Sequence, residues 1–216
     1  MQKVQSKYKI LRDYVAGNKD WADSKLESVN LSNAVLKGID LSNSQLEKVN
    51  LDSSNLEGSN LSNSIFLNCN LSNTRLKKAI FVGANLQQTN LHNAHLEAAN
   101  LRQANLKNAD LTEAYLYCAD LRGADLTGVQ LQDAFLASAI YDEATVFDDD
   151  FFVIDTGMVY QPTSNAKQPP TSSKSIDPQP KRTFFYRGVC YEATKSEPLQ
   201  ITSAKAIKYR GVSYNG

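Results

Sequence analysis

Residues 100–111 read NLRQANLKNADL, with Leu101, Leu106 and Leu111 spaced five apart. An α-helix returns a side chain to the same face about every 3.6 residues and a strand about every two, so a period of five suits neither. Five helical steps of about 100° leave each leucine about 140° round from the last, and no single stripe is buried. In a straight strand the odd spacing throws successive leucines onto opposite faces. The pattern is satisfied if five residues make one side of a coil and the chain then turns a corner.

Outward from this stretch the period runs without a slip from Leu26 to Leu136, 23 positions that are all Leu except Phe66 and Phe81. Two residues before each stands Ser, Ala, Val, Ile, Thr or Cys, as at Ala94, Ala99, Ala104 and Ala109. Both residues would point inward on every side, and the three others, mostly polar, would point out. The text AANLRQANLKNADLTEAYL resembles the pentapeptide-repeat family, whose motif is A(D/N)LXX, and the resemblance covers residues 21 to about 140. It implies an all-β solenoid, a right-handed quadrilateral β-helix with four pentapeptides per coil and about six coils over residues 21–140. At an inter-strand spacing of about 4.8 Å the solenoid would be about 29 Å long.

The formal net charge is zero, so no global field recruits nucleic acid or a membrane surface. No apolar run reaches the length of a spanning helix, and the N-terminus lacks the apolar core and cleavage site of a signal peptide. Cys69, Cys118 and Cys190 are odd in number and widely spaced, giving neither a disulfide framework nor a metal signature; the expected setting is cytoplasmic. The neutral total hides an asymmetry. Residues 1–20 carry a net +3, residues 21–157 a net −9 and residues 158–216 a net +6.

A stack of coils ends in two unpaired edges that need covering. Over residues 1–20, Val4, Tyr8, Leu11 and Val15 make one apolar helical stripe with Gly17 as its stop, which predicts a capping helix. Lys3, Lys7, Lys9 and Arg12 leave a membrane-surface helix as the rival. YVAGNKDWADSKL resembles the lead-in of cyanobacterial members of the family, with Trp21 in the first leucine slot. At the far end Tyr141 and Val146 replace leucine, and residues 141–160 are expected to form a C-terminal cap in which Phe147, Phe151 and Ile154 cover the last coil. Asp148, Asp149 and Asp150 read as a solvated run, since their spacing is not that of a calcium loop.

Residues 161–182 hold five of the six prolines and read as a disordered linker. Residues 183–216 then carry two copies of one motif, Tyr186-Arg187-Gly188 leading to Tyr191 and Tyr209-Arg210-Gly211 leading to Tyr214. They resemble a short cyanobacterial domain of unknown function defined by paired YRG motifs. Alternation would place Tyr186, Gly188 and Cys190 on one side of a strand. About 34 residues bury little alone, so this flexible tail either docks, with the acidic cap as a natural partner, or is solvated independently.

Little in the sequence suggests catalysis. His92 and His95 fall on outward positions of neighbouring sides with no nucleophile in register and read as surface residues. No catalytic, metal or cofactor site is expected. Attention passes to the outer surface, where residues twenty apart stack. One column reads Val35, Asn55, Arg75, His95, Tyr115, Phe135, with Tyr117 beside Tyr115. These aromatics are either an interaction site or the ground under the cap or tail. A second group, Ile65, Leu67, Ile80 and Val82, breaks the polar rule on two adjoining sides, as a partner surface, a tail-docking surface or isolated exposed aliphatics. Asn and Asp dominate the pre-leucine positions at 30, 40 and onward to 130, and are expected to form ladders between coils.

The expectation is therefore a non-enzymatic interaction scaffold of regulatory type, binding an unidentified protein partner and working as a monomer, with no role for nucleic acid or membrane. The resemblance also allows DNA mimicry protecting a type II topoisomerase, but a mimic needs continuous columns of carboxylate. Residues 21–141 hold twelve acids and nine bases, too weak a charge for that.

Overall fold

The computed structural model describes residues 6–149, 151, 153 and 156–162, together with the backbone of strands at 182–186, 189–193, 208–209 and 212–213. The chain divides into two units, residues 1–171 and 172–216. In the first, helix α1 (Lys7–Val15) precedes three short parallel strands, β1 (Lys25–Glu27), β2 (Gln45–Glu47) and β3 (Ile65–Leu67). The unit ends on a parallel pair, β4 (Ile140–Tyr141) and β5 (Val159–Tyr160). Elsewhere each side contributes a single bridged residue, joined in parallel to the one twenty further on, as in Asn30 to Asn50 to Asn70 to Asn90 to Asp110. The repeat is a solenoid with five residues per side, and regular strands are few because every side must also turn a corner.

The corner is made by the residue two after each leucine. From Asp23 to Ser138 every such residue has positive φ, including Asn33 at 59°, Gln103 at 57° and Gly128 at 69°. That region costs least for Gly, Asn and Asp. They fill more than half of these corners, and no β-branched residue stands at any. Changing the exposed Gln103 to Val is expected to destabilise by about 1–2 kcal/mol. Gln103→Gly should be neutral or stabilising by up to about 1 kcal/mol, its relief of strain partly offset by the freer unfolded chain. Urea unfolding of the two variants checks the order.

The repeat accounts for nearly all of its backbone amides. The leucine N–H donates to the next coil (Leu31 to the Asn50 carbonyl, 2.7 Å) and the pre-leucine N–H to the previous one (Asn50 to Val29, 3.0 Å). The corner N–H also reaches the next coil (Asn33 to Asp52, 2.9 Å), while the small residue's N–H closes a turn onto the leucine carbonyl (Ala34 to Leu31, 3.1 Å). Only the residue after leucine has no backbone acceptor in this scheme. The pre-leucine Asn or Asp supplies one, its Oδ1 accepting from the N–H two residues on: Ser32 to Asn30 at 3.0 Å, Lys107 to Asn105 at 3.1 Å, Thr112 to Asp110 at 2.9 Å. This Asx turn is the reason for the motif's D/N. It corrects the ladder expectation, for Asn60 to Asp40 (3.2 Å) and Asn70 to Asn50 (3.4 Å) do bond between coils, but the dominant acceptor role is local.

These turns also set the response to acid. Burial pushes the carboxyls of Asp40, Asp120 and Asp125 up, but hydrogen bonds led by those from Ser42, Arg122 and Thr127 outweigh it and hold each below the ordinary aspartate value. A depressed folded value adds stability above the unfolded value, near 3.8, and that stability is lost as pH falls through the folded one. The melting temperature should therefore drop as the pH goes below about 4. Asp40→Asn/Asp120→Asn/Asp125→Asn, which keeps the Oδ1 acceptors, should give a shallower drop.

Leucines fill the interior with the small residues between them, and Phe66 and Phe81 meet with ring centroids 6.0 Å apart. Of the polar small residues, Ser64 turns its hydroxyl to Leu61 of its own coil, whereas others donate to the leucine-slot carbonyl of the coil before, as Thr74 does to Leu51 at 2.9 Å and Ser59 to Leu36 at 3.3 Å. Cys69 does likewise to Leu46, and burial pushes its thiol up to about 11, so it is an inert core residue.

Both ends depart from the sequence expectation in register. In α1, capped by Ser6, Tyr8 and Val15 are each 85% exposed; Ile10 is buried, and Leu11 and Tyr14 pack on the core. The buried stripe is thus set by Ile10, and Tyr14 gains a bond from its hydroxyl to the Lys37 carbonyl at 3.0 Å. Val4 lies outside the described residues. At the other end Tyr141 does take a leucine slot, but Val146 does not. It bridges Asp125, 21 residues back, and is 46% exposed. One extra residue shifts Thr145 into the small slot and Phe147 onto the core, where Phe147 stacks on Phe151 at 4.8 Å. Ile154 lies outside the described residues. Asp148 is not merely solvated, since both its oxygens accept from the Gly128 N–H at 3.0 Å.

In the second unit β6 (Arg182–Tyr186) pairs antiparallel with β7 (Val189–Ala193), and β8 (Lys208–Tyr209) with β9 (Val212–Ser213). Tyr186 faces Val189 and Tyr209 faces Val212 across these pairs. Tyr186 ends β6 whereas Cys190 and Tyr191 lie on β7, so the reading that put Tyr186 and Cys190 on one side of a single strand is corrected. Arg187, Gly188, Arg210, Gly211 and Tyr214 lie outside the described residues.

Candidate functional site

On the side of the coil that carries residues 35, 55, 75, 95, 115 and 135, the pre-leucine column changes character along the rod. Asn55 makes the expected Asx turn, accepting from the Glu57 N–H at 3.1 Å. Beyond Arg75 the column is His95, Tyr115 and Phe135, bridged in that order. Their rings stack, His95 on Tyr115 with centroids 4.7 Å apart and planes 5° off parallel, Tyr115 on Phe135 at 4.8 Å and 13°. Tyr117, the residue after leucine on the middle coil, stacks on Phe135 at 5.8 Å. All four are half-buried, so each ring shields its neighbour and still presents an edge to solvent.

The coil spacing explains the stack. Parallel bridging in register repeats a side-chain position every ~4.8 Å, a separation at which flat rings sit face over offset face. No ring accepts a hydrogen bond from the amide two residues on, so this column gives up the Asx turn at three successive coils. Sequence reasoning placed Tyr115, Tyr117 and Phe135 together and is matched in that. It set His95 aside as plain surface, although the same twenty-residue index puts His95 directly on Tyr115.

Glu97 completes the group. Its Oε1 lies 3.2 Å from His95 Nδ1, while Oε2 is shielded from solvent and has no hydrogen-bond partner among the described residues. Along the neighbouring corner Glu113 and Asp133 are exposed. Of the bases on the same coils, Lys107 pairs with Asp125 at 3.0 Å and Arg122 with both oxygens of Asp120, while the exposed Arg102 acts on Asp120 through its charge alone.

The second group is looser. Leu67 and Ile80 are 49% and 39% exposed, while Ile65 and Val82 are half-buried. Ile65 lies in line with Asn85, and Ile80 between Asn60 and Asn100, so neither continues into a ladder. Among the described residues no set of His, Cys, Asp and Glu is placed to hold a metal ion, and no helix is long and apolar enough to cross a membrane.

The family model for pentapeptide repeats matches at residues 24–63, 54–93, 89–128 and 104–140. No curated protein matches the chain. Among solved structures, a pentapeptide repeat protein from the Arabidopsis thaliana thylakoid lumen is 27% identical with a TM-score of 0.42, covering 44% of this chain and 66% of that one. The chain thus spans just under two thirds of that relative's length. A pentapeptide repeat protein from the cyanobacterium Cyanothece 51142 is 30% identical with a TM-score of 0.31, over 65% of this chain and 99% of that one. HetL, a pentapeptide repeat protein involved in heterocyst differentiation regulation from the cyanobacterium Nostoc sp. strain PCC 7120, is 24% identical with a TM-score of 0.29, over 72% and 92%.

Proposed function

The chain belongs to the pentapeptide-repeat family, and we propose that it is a non-enzymatic interaction scaffold whose binding face is the His95–Tyr115–Phe135 ring ladder with Tyr117. One observation carries the reading. Beyond Asn55 four successive coils, from Arg75 to Phe135, lack the Asn or Asp that the backbone calls for, and the last three stack half-exposed rings in its place. A local preference broken in register, with no gain to the core, marks a functional surface. Aromatic residues are also the usual anchors of protein interfaces.

The finer architecture belongs to the same proposal: a right-handed four-sided coil of about six turns at twenty residues each, closed at its start by α1, working as a monomer in the cytoplasm and binding a regulatory protein partner. The paired YRG segment is a separate small module. Topoisomerase protection by DNA mimicry is the weaker reading, because Glu57, Asp120 and Asp125 are paired with Lys37, Arg122 and Lys107, and the stacked exposed carboxylates Glu113 and Asp133 span only two coils.

The test is quantitative capture from native lysate. Tyr115→Ala/Tyr117→Ala/Phe135→Ala is expected to lower recovery of a specific partner about tenfold or more, in line with loss of interface anchors worth at least ~1.4 kcal/mol in total. Leu67→Ser/Ile80→Ser should leave recovery unchanged. A partner retained undiminished by the ring variant would place binding elsewhere.

A further inference from the structure

We propose that the ladder is a docking strip for an arginine-bearing segment of the partner protein, an assignment that rests on the interaction reading above and names the chemistry of the partner. Three observations converge. From Asp110 to Asp149 the chain carries nine Asp/Glu and a single Lys/Arg. The one base, Arg122, holds Asp120 in a two-pronged pair on another side of the coil, and the nearby Lys107 holds Asp125. Glu113 and Asp133, two residues before Tyr115 and Phe135, are exposed, and among the described residues neither has a base in ion-pair contact, so a cation arriving at the ladder meets negative charge that these coils leave uncompensated.

The second observation is the Glu97 carboxylate. Its Oε2 is shielded from water and unpartnered at the edge of the ring stack. A carboxylate oxygen in that state gains most from a charged donor. Third, the column of stacked rings runs next to a corner column that carries Glu113 and Asp133. Guanidinium is the side chain that suits both, being planar and weakly hydrated, able to lie against an aromatic ring and to fork onto a carboxylate at once. Ammonium satisfies only the charge. One coil toward the N-terminus, Arg75, Lys77 and Lys78 reverse the sign of the face. The strip therefore has a direction, with the partner's arginines over Glu113 and Asp133 and its acidic residues toward Arg75.

The experiment uses the full chain and fluorescein-labelled twelve-residue peptides in which Arg, Lys or Glu alternates with Gly, read by anisotropy at low and physiological salt. The Arg peptide is expected to bind, the Lys peptide about tenfold more weakly and the Glu peptide not at all. Tyr115→Ala/Tyr117→Ala and Glu113→Gln/Asp133→Asn should each weaken the Arg peptide about tenfold. Glu47→Gln/Asp149→Asn, which removes the same charge elsewhere, should leave it unchanged. Equal binding of the Arg and Lys peptides, or an equal loss in the control variant, reduces the effect to bulk acidity and overturns the proposal. Binding that strengthens tenfold or more in full-length Arg187→Ala/Arg210→Ala also overturns it, by making the chain's own basic segment the occupant. If the Arg peptide fails while lysate capture still depends on the rings, the partner chemistry falls and the interaction face stands.

Discussion

Phe81→Ala is expected to destabilise the solenoid by about 3–5 kcal/mol, the largest effect of any single truncation in the repeat. Phe81 is fully buried and meets Phe66 across an interior otherwise filled by leucine. Its loss leaves a cavity that neighbouring coils cannot close, because every coil is held at fixed height by amide bonds to both neighbours. The Phe81 N–H donates to the Asn100 carbonyl of the next coil at 2.7 Å, and the adjacent Ile80 N–H to the Ser59 carbonyl of the previous one at 2.9 Å. Leu86→Ala, on the next side of the coil, should cost less, about 2–4 kcal/mol, since fewer atoms are removed. Phe66→Ala and Phe81→Ala are in contact and should not add; the double variant is expected to lose at least ~0.5 kcal/mol less than the sum. Denaturant titration of the three variants measures this. A loss under about 1 kcal/mol for Phe81→Ala would mean that the coils can slide together, contrary to the bonding described.

How much of this was legible in the sequence follows from where each residue's partners lie. The leucine slots could be read directly, because each has the same partner in every coil and the period alone reveals it. The corner rule was equally present, in the Gly, Asn and Asp two residues after leucine, but a preference spread over positive-φ positions is weaker than an invariant leucine and looks like ordinary polar surface. The pre-leucine Asn was visible and its partner was not. Oδ1 of Asn105 could bond up, down or along the chain, and only the accounting of amides shows that the Lys107 N–H is the group in need. Val146 was placed in a leucine slot because counting by five assumes no insertion, and the extra residue is settled by Asp142 and Thr145 bonding to each other and to the coil before. The face of α1 turned on which of two overlapping apolar stripes finds a floor, and Ile10 finds it among the core residues that include Trp21. At the ring ladder the index of twenty was enough to stack His95 on Tyr115. What the sequence could not supply is that Glu97 turns one oxygen to His95 and leaves the other without a donor.

The second large effect is expected where the repeat slips. Asp142 is 2% exposed, and its Oδ1 accepts from the Gly123 N–H at 2.9 Å, the Ala144 N–H at 3.1 Å and the Thr145 hydroxyl at 3.0 Å. Thr145 Oγ1 in turn accepts from the Asp142 N–H at 3.0 Å and lies 3.1 Å from the Leu121 carbonyl. This closed turn absorbs the added residue, so that Val146 can pair with Asp125 and Phe147 can reach the core. Asp142→Ala removes the acceptor of two amides and is expected to cost about 2–4 kcal/mol, whereas Asp142→Asn, which keeps Oδ1, should cost about 1 kcal/mol. The two differ in where the damage appears. Hydrogen exchange should quicken first at Gly123 and at Leu126, whose N–H donates to Val146 at 2.8 Å, while amides near Leu56 stay protected. As residues 141–160 lift away, the last coil is left with an unpaired edge, so concentration-dependent association should rise in the alanine variant. If instead the whole rod loses protection uniformly, the turn is not a local clamp and the slip must be held by the packing of Phe147 and Phe151.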